Sequence, residues 1–401
     1  MNSTSICYLN SNDGSGIISF GRKASILDSS PHALEKLQLF LDLNKGNYIF
    51  GSLSYDLKNE IEQLKSKEND ALKFPLVNFW VPEYVIKKVN GNYHYLQGDK
   101  TKDAENLLNT FFKTKNQAKD DKEKIDFLAR TSKENYLKNI EKIKSLLQQG
   151  EIYELNYCQE YFSKDVHIKN PLETYFKINE LTKAPFSVFL RADKHYVFCG
   201  SPERFIQKKG KKLISQPIKG TAGRGKSKIE DNKIIKTLQE NQKERSENIM
   251  IVDLVRNDFS RIAEKNSVSV EELCAIYSFE TVHQMISTVS CTVDEKNSFT
   301  DIIRATFPMG SMTGAPKINA MKFIDELEDF SRGIYSGSIG YISPNGDFDF
   351  NVVIRSLVYN EKEKYLSCAV GGAITILSDP EEEYNECQTK IGKILNAFNG
   401  D

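Results

Sequence analysis

The amino-acid sequence predicts an α+β fold, because strand-like and helix-like segments come in clusters and do not alternate regularly. Strand-like runs such as FSVFLRA and YVFCGS cluster within residues 152–218, and many of the runs there alternate polar and apolar residues. Similar strand-like runs recur between residues 335 and 377. A period of two residues is typical of antiparallel strands with one face in water. This grouping favours α+β over a parallel doubly wound sheet.

Composition excludes several classes of function. Of the 401 residues, 54 are basic and 55 acidic, so charge gives no reason to expect a nucleic-acid or membrane partner. No apolar run approaches the roughly 20 residues that cross a bilayer, and no signal peptide is visible. We therefore expect a cytoplasmic protein. Seven scattered cysteines without a C-x-x-C pair predict buried thiols and not a zinc site, and the five histidines show no metal-ligand spacing. Any metal should therefore have carboxylate ligands.

A charged stretch, KTKNQAKDDKEK at Lys113–Lys124, divides the sequence into two unequal parts. The N-terminal part, 1–125, mixes short strand-like runs with one helix-like segment. The larger part, 126–401, opens with a predicted helix that Thr131 and Glu134 would start as a capping box. We predict that the two parts pack as one compact unit.

The segment QPIKGTAGRGKS, Gln216–Ser227, supports two incompatible interpretations. From Gly220 it satisfies G-x-x-x-x-G-K-[ST], the phosphate-binding loop of nucleotide hydrolases. Such a loop needs a buried parallel strand before it and a helix starting at its lysine. The preceding KKLISQPIK is polar at alternate positions and contains Pro217, as expected of an edge strand, and the next helix is predicted from about Ile229 to Met250. Nucleotide binding is therefore disfavoured, and Lys219 becomes the residue of interest.

Two predicted helical segments carry glutamates three residues apart, a spacing that puts both on one helix face. The first contains Glu244 and Glu247; the second contains Glu383 and Glu386, followed by Lys390. Facing one another, these pairs would form an oxygen-rich site suited to Mg²⁺. Taken by spacing alone, either pair more often forms a solvated acidic face.

Other candidate residues are dispersed. Arg355 stands in an apolar strand-like run, so its charge needs an acid or an anionic ligand as partner. His283 alone fits a partly buried structural histidine, and Glu203 alone fits a surface acid. The segments FPMGSMTGAPK and AVGGAI could bring backbone close to a ligand or form ordinary turns. Spacing does not assemble these residues into one site.

Seven segments, in consistent order, resemble the chorismate-utilising enzymes, the family that includes the large components of anthranilate synthase and aminodeoxychorismate synthase. They are PIKGT at Pro217–Thr221, ENIMIVDLVRND at Glu247–Asp258, the surroundings of His283, MGSMTGAPK at Met309–Lys317, RGIYSGSIGY at Arg332–Tyr341, NVVIRS at Asn351–Ser356 and DPEEEYNE at Asp379–Glu386. The resemblance implies a fold of two packed, largely antiparallel β-sheets flanked by helices.

The resemblance also implies a site for chorismate and Mg²⁺. The metal ligands would be the two helical pairs, Glu244, Glu247, Glu383 and Glu386. The enolpyruvyl carboxylate would be held by Arg355 and Tyr335, with backbone donors near Gly371 and Gly372, and Lys390 would assist on the metal side. The residues lining the ring would be Gly220, Thr221, Ser311 and His283, the last counted among the catalytic residues.

Lysine at position 219 resembles the aminodeoxychorismate synthase branch, since anthranilate synthases have alanine there. The resemblance implies that the Lys219 amine attacks C2 and expels the C4 hydroxyl, after which ammonia attacks C4 and expels the lysine. Glu203 would be the general acid for the leaving hydroxyl, and would therefore be protonated beforehand. An attacking lysine must be neutral, so we expect desolvation to lower the pKa of Lys219.

The implied product is 4-amino-4-deoxychorismate, on the route to 4-aminobenzoate and folate. The sequence contains no cysteine-centred glutaminase motif, so ammonia is expected from a separate glutamine amidotransferase subunit. The alternatives are anthranilate synthase component I, a nucleotide-binding protein and a non-catalytic binding subunit.

Three positions depart from the family pattern. Glu154 occupies a place where glutamine is usual and where water-adding members have lysine, which argues against isochorismate formation. Gly223 replaces a common proline, and Ala373 replaces a glycine that often donates to the substrate.

Overall fold

A computed structural model describes residues 5–66, 70–115 and 124–398. The charged stretch Lys113–Lys124 therefore lies mostly outside the described residues. The helices are α1 (Ala33–Leu43), α2 (Lys58–Ile61), α3 (Lys102–Lys115), α4 (Lys133–Gln148), α5 (Pro171–Thr182), α6 (Lys228–Glu240), α7 (Gln242–Ser260), α8 (Phe299–Thr306), α9 (Lys317–Leu327) and α10 (Pro380–Phe398).

The strands come in clusters between these helices and do not alternate with them one by one, as the sequence predicts. They are β1 (Ser5–Asn10), β2 (Ser15–Phe20), β3 (Ala24–Asp28), β4 (Ile49–Leu53), β5 (Val77–Val81), β6 (Tyr84–Val89), β7 (Asn92–Gln97), β8 (Leu128–Ala129), β9 (Glu154–Ser163), β10 (Phe186–Ala192), β11 (His195–Ser201), β12 (Arg204–Lys209), β13 (Lys212–Gln216), β14 (Ile218–Gly223), β15 (Ser269–Ser278), β16 (Val282–Thr292), β17 (Gly314–Ala315), β18 (Ser338–Ile342), β19 (Phe348–Asn351), β20 (Ser356–Asn360) and β21 (Tyr365–Ile374).

The described strands form two large antiparallel sheets, which confirms the predicted α+β class. The first sheet has the order β17-β9-β21-β20-β11-β10-β1-β2-β6-β7, with β8 beside β9. The second has the order β14-β16-β13-β12-β19-β18-β4-β5-β3, with β15 beside β16. Both sheets take strands from before and after residue 125, so that boundary divides the sequence but neither sheet.

Three apolar clusters hold these layers together. One packs α4, α5 and α10 on the first sheet, and a second packs α1, α7 and α8 on the second sheet. The third joins the two sheets: Phe50 and Trp80 of the second sheet meet Val188, Val197 and Val358 of the first. Burial of these side chains supplies the main driving force for packing the sheets together. None of the described helices has both the length and the apolar character needed to cross a membrane.

Two predicted helix boundaries were wrong, because in each case a different residue from the expected one caps the helix. The helix expected from Ile229 to Met250 is two helices, since Asn241 ends α6 and its side chain accepts a hydrogen bond from the Glu244 amide at the start of α7. At α4 the N-cap is Ser132, whose hydroxyl accepts from the Asn135 amide. The hydroxyl of Thr131, the expected cap, donates to Asp329 instead.

A buried ion pair anchors strand β9, which carries part of the candidate site. Arg332 and Glu328 are 2.6 Å apart and almost fully excluded from water. The same guanidinium donates to the carbonyls of Asn156 and Met312, and Glu328 accepts from the amide of Cys158. Because each partner is buried, removing one would leave an uncompensated charge.

Arg332→Ala should therefore lower the free energy of unfolding by about 3–5 kcal/mol, as measured by chemical denaturation. The matched control is Arg256→Ala, since Arg256 pairs with Asp253 at 2.7 Å on the exposed face of α7. Exposed pairs contribute about 0–1 kcal/mol, so the control should change little. Equal losses in the two variants would contradict an anchoring role for Arg332.

Candidate active site

A cavity of about 630 Å³ opens where β14 and the glycine-rich end of β21 approach helices α7 and α10. Fourteen of the fifteen predicted site residues line it, although they are distributed over nearly 190 positions of sequence. They are Glu203, Lys219, Gly220, Thr221, Glu244, Glu247, Ser311, Tyr335, Arg355, Gly371, Gly372, Glu383, Glu386 and Lys390. Their individual roles stay predictions, but the structure brings them together.

Lys219 projects from β14 to Glu154 at the start of β9. Its Nζ lies 2.8 Å from Glu154 Oε1, and both side chains are buried. Burial by itself lowers the pKa of Lys219, but the carboxylates of Glu154, Glu247 and Glu203 raise it more, so the net shift is upward. The expected lowering of the lysine pKa was therefore wrong for this arrangement, because desolvation was considered without the surrounding acids.

Glu203 lies in the turn between β11 and β12 and is buried. Its Oε1 accepts a hydrogen bond from the Ser311 hydroxyl at 2.6 Å. Burial raises the pKa of Glu203 to about 7, although Ser311, Lys219 and Arg355 oppose the shift. At neutral pH this carboxyl is protonated in a substantial fraction of molecules, which suits the general acid that the sequence predicts.

Arg355 has a left-handed backbone, with φ of 51°, in the short connection between β19 and β20. Bulky side chains adopt this conformation only where surrounding structure imposes it. Burial lowers the pKa of the guanidinium, while Glu203 nearby raises it. Among the described residues it forms no salt bridge with a carboxylate, so its charge is available for an anionic ligand in the cavity.

The four helical glutamates converge from α7 and α10, but lysines hold two of them. Glu383 lies 3.0 Å from Lys243, and Glu386 lies 2.8 Å from Lys390. Within the described ranges, no three acidic, imidazole or thiol groups are arranged closely enough to hold a metal ion. The site as described is therefore a set of ion pairs rather than a formed metal cage.

The donor chemistry of these glutamates nevertheless fits Mg²⁺, which prefers carboxylate oxygens. Oε1 of Glu247 is buried and has no hydrogen-bond partner among the residues that the structure describes. Burial raises the pKa of Glu247 to about 7, with Glu154 and Glu244 adding to the shift and Lys219 opposing it. Burial and Glu386 also raise the pKa of Glu244. These carboxylates would be stabilised by an additional cation.

His283 is the predicted site residue that does not line the cavity. Its ring lies between Asp231 and Ser278, with Nε2 2.9 Å from the Asp231 carboxylate and Nδ1 2.8 Å from the serine hydroxyl. On β16, its neighbours Val282 and Gln284 line the cavity instead. Residues along a strand alternate between its faces, so His283 points to the face opposite that of its two cavity-lining neighbours.

The loop Gly220–Ser227 does not have the geometry of a phosphate-binding loop. Its first residues belong to strand β14, which is antiparallel and lies at the end of the second sheet. The Gly225 amide donates to Asp231 and the Lys226 amide donates to Glu230, so acidic side chains already occupy these donors. Ser227 is the N-cap of α6. The nucleotide-binding alternative therefore has no structural support.

Glycine is required at two cavity positions for different reasons. At Gly220 the backbone φ is +84°, and an added Cβ would lie 3.1 Å from Oε2 of Glu244. At Gly371 an added Cβ would lie 2.4 Å from Sγ of Cys158 on the neighbouring strand β9. Side chains at either place would displace groups that shape the cavity.

Three residues that matter to the site were missed or undervalued by sequence reasoning. Glu154 was noted only as a departure, Lys243 was not considered, and Gln284 was not considered. The spacing of Lys243 from Glu247 would suggest a pair along one helix, yet Lys243 reaches across to Glu383. Gln284 is buried, and within the described ranges neither polar atom of its amide has a hydrogen-bond partner. No sequence signal identifies such an unpaired group, because pairing depends on tertiary contacts.

The chain matches the chorismate binding enzyme family over residues 4–396. It is similar to aminodeoxychorismate synthase component 1 of Bacillus subtilis (strain 168), at 33% identity over 362 residues, which cover 87% of this chain and 76% of that protein. The chloroplastic aminodeoxychorismate synthase of Arabidopsis thaliana is 40% identical over 277 residues, 68% of this chain. The match spans only 30% of that plant protein.

The fold is similar to that of anthranilate synthase component I from Streptococcus pneumoniae TIGR4. The TM-score is 0.79 at 23% sequence identity, and the match covers 94% of this chain and 92% of that one. At this level of identity the likeness shows the fold alone.

Glu154→Gln should lower the pKa of the Lys219 amine, because it removes the carboxylate that stabilises the ammonium. The measurement is the pH dependence of Lys219 acetylation, followed by mass spectrometry. Below the pKa, the labelling rate should rise about tenfold for each unit by which the pKa falls. Lys212, on the exposed side of β13, is an internal reference whose labelling should not change. An unchanged Lys219 profile would show that Glu154 does not control the charge of the lysine.

Proposed function

Because the chain belongs to the chorismate binding enzyme family, we propose that it aminates chorismate at C4 and so forms 4-amino-4-deoxychorismate. The observation that carries this proposal is Lys219 itself, a buried amine lining the same cavity as Glu203 and Arg355. The named relatives at 33–40% identity support the same reaction. The product would serve the synthesis of 4-aminobenzoate and folate.

The first step forms a covalent adduct between Lys219 and the substrate. The neutral amine attacks C2, the ring double bonds shift, and the C4–O bond breaks. Glu203, in its carboxylic acid form, gives its proton to the departing hydroxyl, which leaves as water. Ammonia then attacks C4, the double bonds shift back, and the C2–N bond to Lys219 breaks. The net reaction consumes chorismate and ammonia and yields the amine and water.

Lys219 must lose a proton before it attacks, and Glu154 is the group placed to accept it. The two side chains are in hydrogen-bond contact at 2.8 Å. Transfer of one proton from the ammonium to Glu154 yields a neutral amine and a neutral carboxyl group. In a buried pair this neutral form avoids the cost of two separated charges. The ion pair would thus hold the nucleophile inactive until the proton moves.

Substrate binding relies on the cations of the cavity, because chorismate is a dianion. Arg355 would hold the enolpyruvyl carboxylate together with the buried hydroxyl of Tyr335. Glu244, Glu247, Glu383 and Glu386 would hold Mg²⁺, which when bound supplies positive charge for the ring carboxylate. Lys243 and Lys390 would release Glu383 and Glu386 for this purpose, since each now pairs with one of them.

Ammonia would come from a separate glutamine amidotransferase subunit. The name of the B. subtilis relative, component 1, supports the existence of a partner. Free ammonium should replace the partner in vitro, which allows the chain to be tested alone.

Lys219→Ala should reduce C4 amination by at least about 100-fold, because it removes the nucleophile. Products of chorismate, Mg²⁺ and ammonium chloride would be separated by chromatography and identified by mass. The matched control is Lys226→Ala, in the loop that follows β14, which should behave as wild type. Wild-type release of anthranilate, detected by fluorescence, would favour 2-amination, and full activity of Lys219→Ala would exclude the covalent mechanism.

The rate of turnover should depend on the protonation of Glu203. Burial raises the pKa of Glu203 to about 7, so the protonated acid predominates below pH 7 and is lost as the pH rises. We expect kcat to fall about tenfold per pH unit above that value. Glu203→Gln should lower kcat by roughly 100-fold or more and abolish this alkaline decline. A decline that persists in the variant would assign it to another group.

A further inference from the structure

Gln284 is a buried amide at the wall of the cavity. It lies on β16, opposite Thr221 of β14, and only 1% of its surface is exposed. Both Thr221 and Gln284 line the cavity. Neither Oε1 nor Nε2 of Gln284 has a hydrogen-bond partner among the described residues. Both polar atoms of one side chain are thus unsatisfied beside the proposed reaction site.

An unsatisfied buried amide is unfavourable, because it has lost its hydrogen bonds to water without replacement. An apolar side chain of similar size at this position would avoid this free-energy cost. Gln159 on β9 provides a comparison: its Oε1 accepts a hydrogen bond from Tyr161, its Nε2 has no partner among the described residues, and it does not line the cavity. Gln284 differs from it in lining the cavity and in having no partner for either amide atom among the described residues.

We propose that Gln284 is a substrate-contact residue whose amide binds a neutral group able to donate and to accept hydrogen bonds. This inference rests on the proposed function, which offers two such groups: the hydroxyl of chorismate and the incoming ammonia. A carboxylate would satisfy Nε2 alone and would leave Oε1 facing negative charge. The amide therefore complements Arg355, which suits the anionic part of the substrate.

The test is Gln284→Met, which keeps the length of the side chain and removes both polar atoms. With chorismate, Mg²⁺ and ammonium, kcat/KM should fall about tenfold, the effect of one lost hydrogen bond to a bound group. A higher KM for chorismate would assign the contact to the hydroxyl, and a higher KM for ammonium would assign it to ammonia. Thermal stability should be unchanged or higher, because the variant no longer buries an unpaired amide.

The matched control is Gln159→Met, which should leave both KM values as in wild type. Calorimetric binding of chorismate without ammonium provides a second measurement that needs no turnover. Wild-type kinetics and wild-type chorismate binding in Gln284→Met would overturn the inference. A lower stability with unchanged kinetics would also overturn it, because that result would indicate a structural role for the amide. A wild-type chain that binds chorismate but forms no 4-amino product would instead contradict the proposed function. In that case, chorismate binding by Gln284→Met would still decide the role of Gln284.

Discussion

The ion pair between Lys219, which lines the cavity, and Glu154 joins the two sheets, and both side chains are largely excluded from water. A buried charge is stable only beside a counter-charge or a hydrogen-bonding partner. This constraint organises the whole site: Glu203 is held by Ser311, and Glu383 is held by Lys243. In the proposed mechanism, the same constraint allows Lys219 to attack only after its ammonium has passed one proton to Glu154.

The rigidity of β9 follows from the same requirement for paired charge. Arg332 and Glu328 bond to its backbone from one side, while β21 pairs along nearly its full length on the other. Pairing with β21 also places Gly371 and Gly372 at the cavity wall. A strand that is fixed in this way holds Glu154 in a constant position relative to Lys219. Preorganisation of this kind avoids the cost of rearranging groups during the reaction.

In contrast, the glutamates of α7 and α10 are paired in a way that can change. Lys243 is partly exposed, and its bond to Glu383 competes with any cation that uses the same carboxylate. One oxygen of Glu247 has no hydrogen-bond partner in the described part of the chain. The proposed Mg²⁺ site would thus be completed by exchanging partners. The Glu383 carboxylate is buried, so it would need the cation as its counter-charge in place of the Lys243 ammonium.

The sequence by itself determined the α+β class, through the clustering of its strand-like runs and the alternation of polar and apolar residues within many of them. The motifs from Pro217 to Glu386 indicated which residues share a site. Those inferences succeeded because periodicity and motif are local properties. Only the tertiary structure decided the charge state of Lys219, since the pKa of a buried amine depends on Glu154 and Glu247, far away in sequence. It also turned His283 toward Asp231 and left the amide of Gln284 unpaired. Each outcome depends on which distant groups meet in space, and no spacing along the chain specifies that.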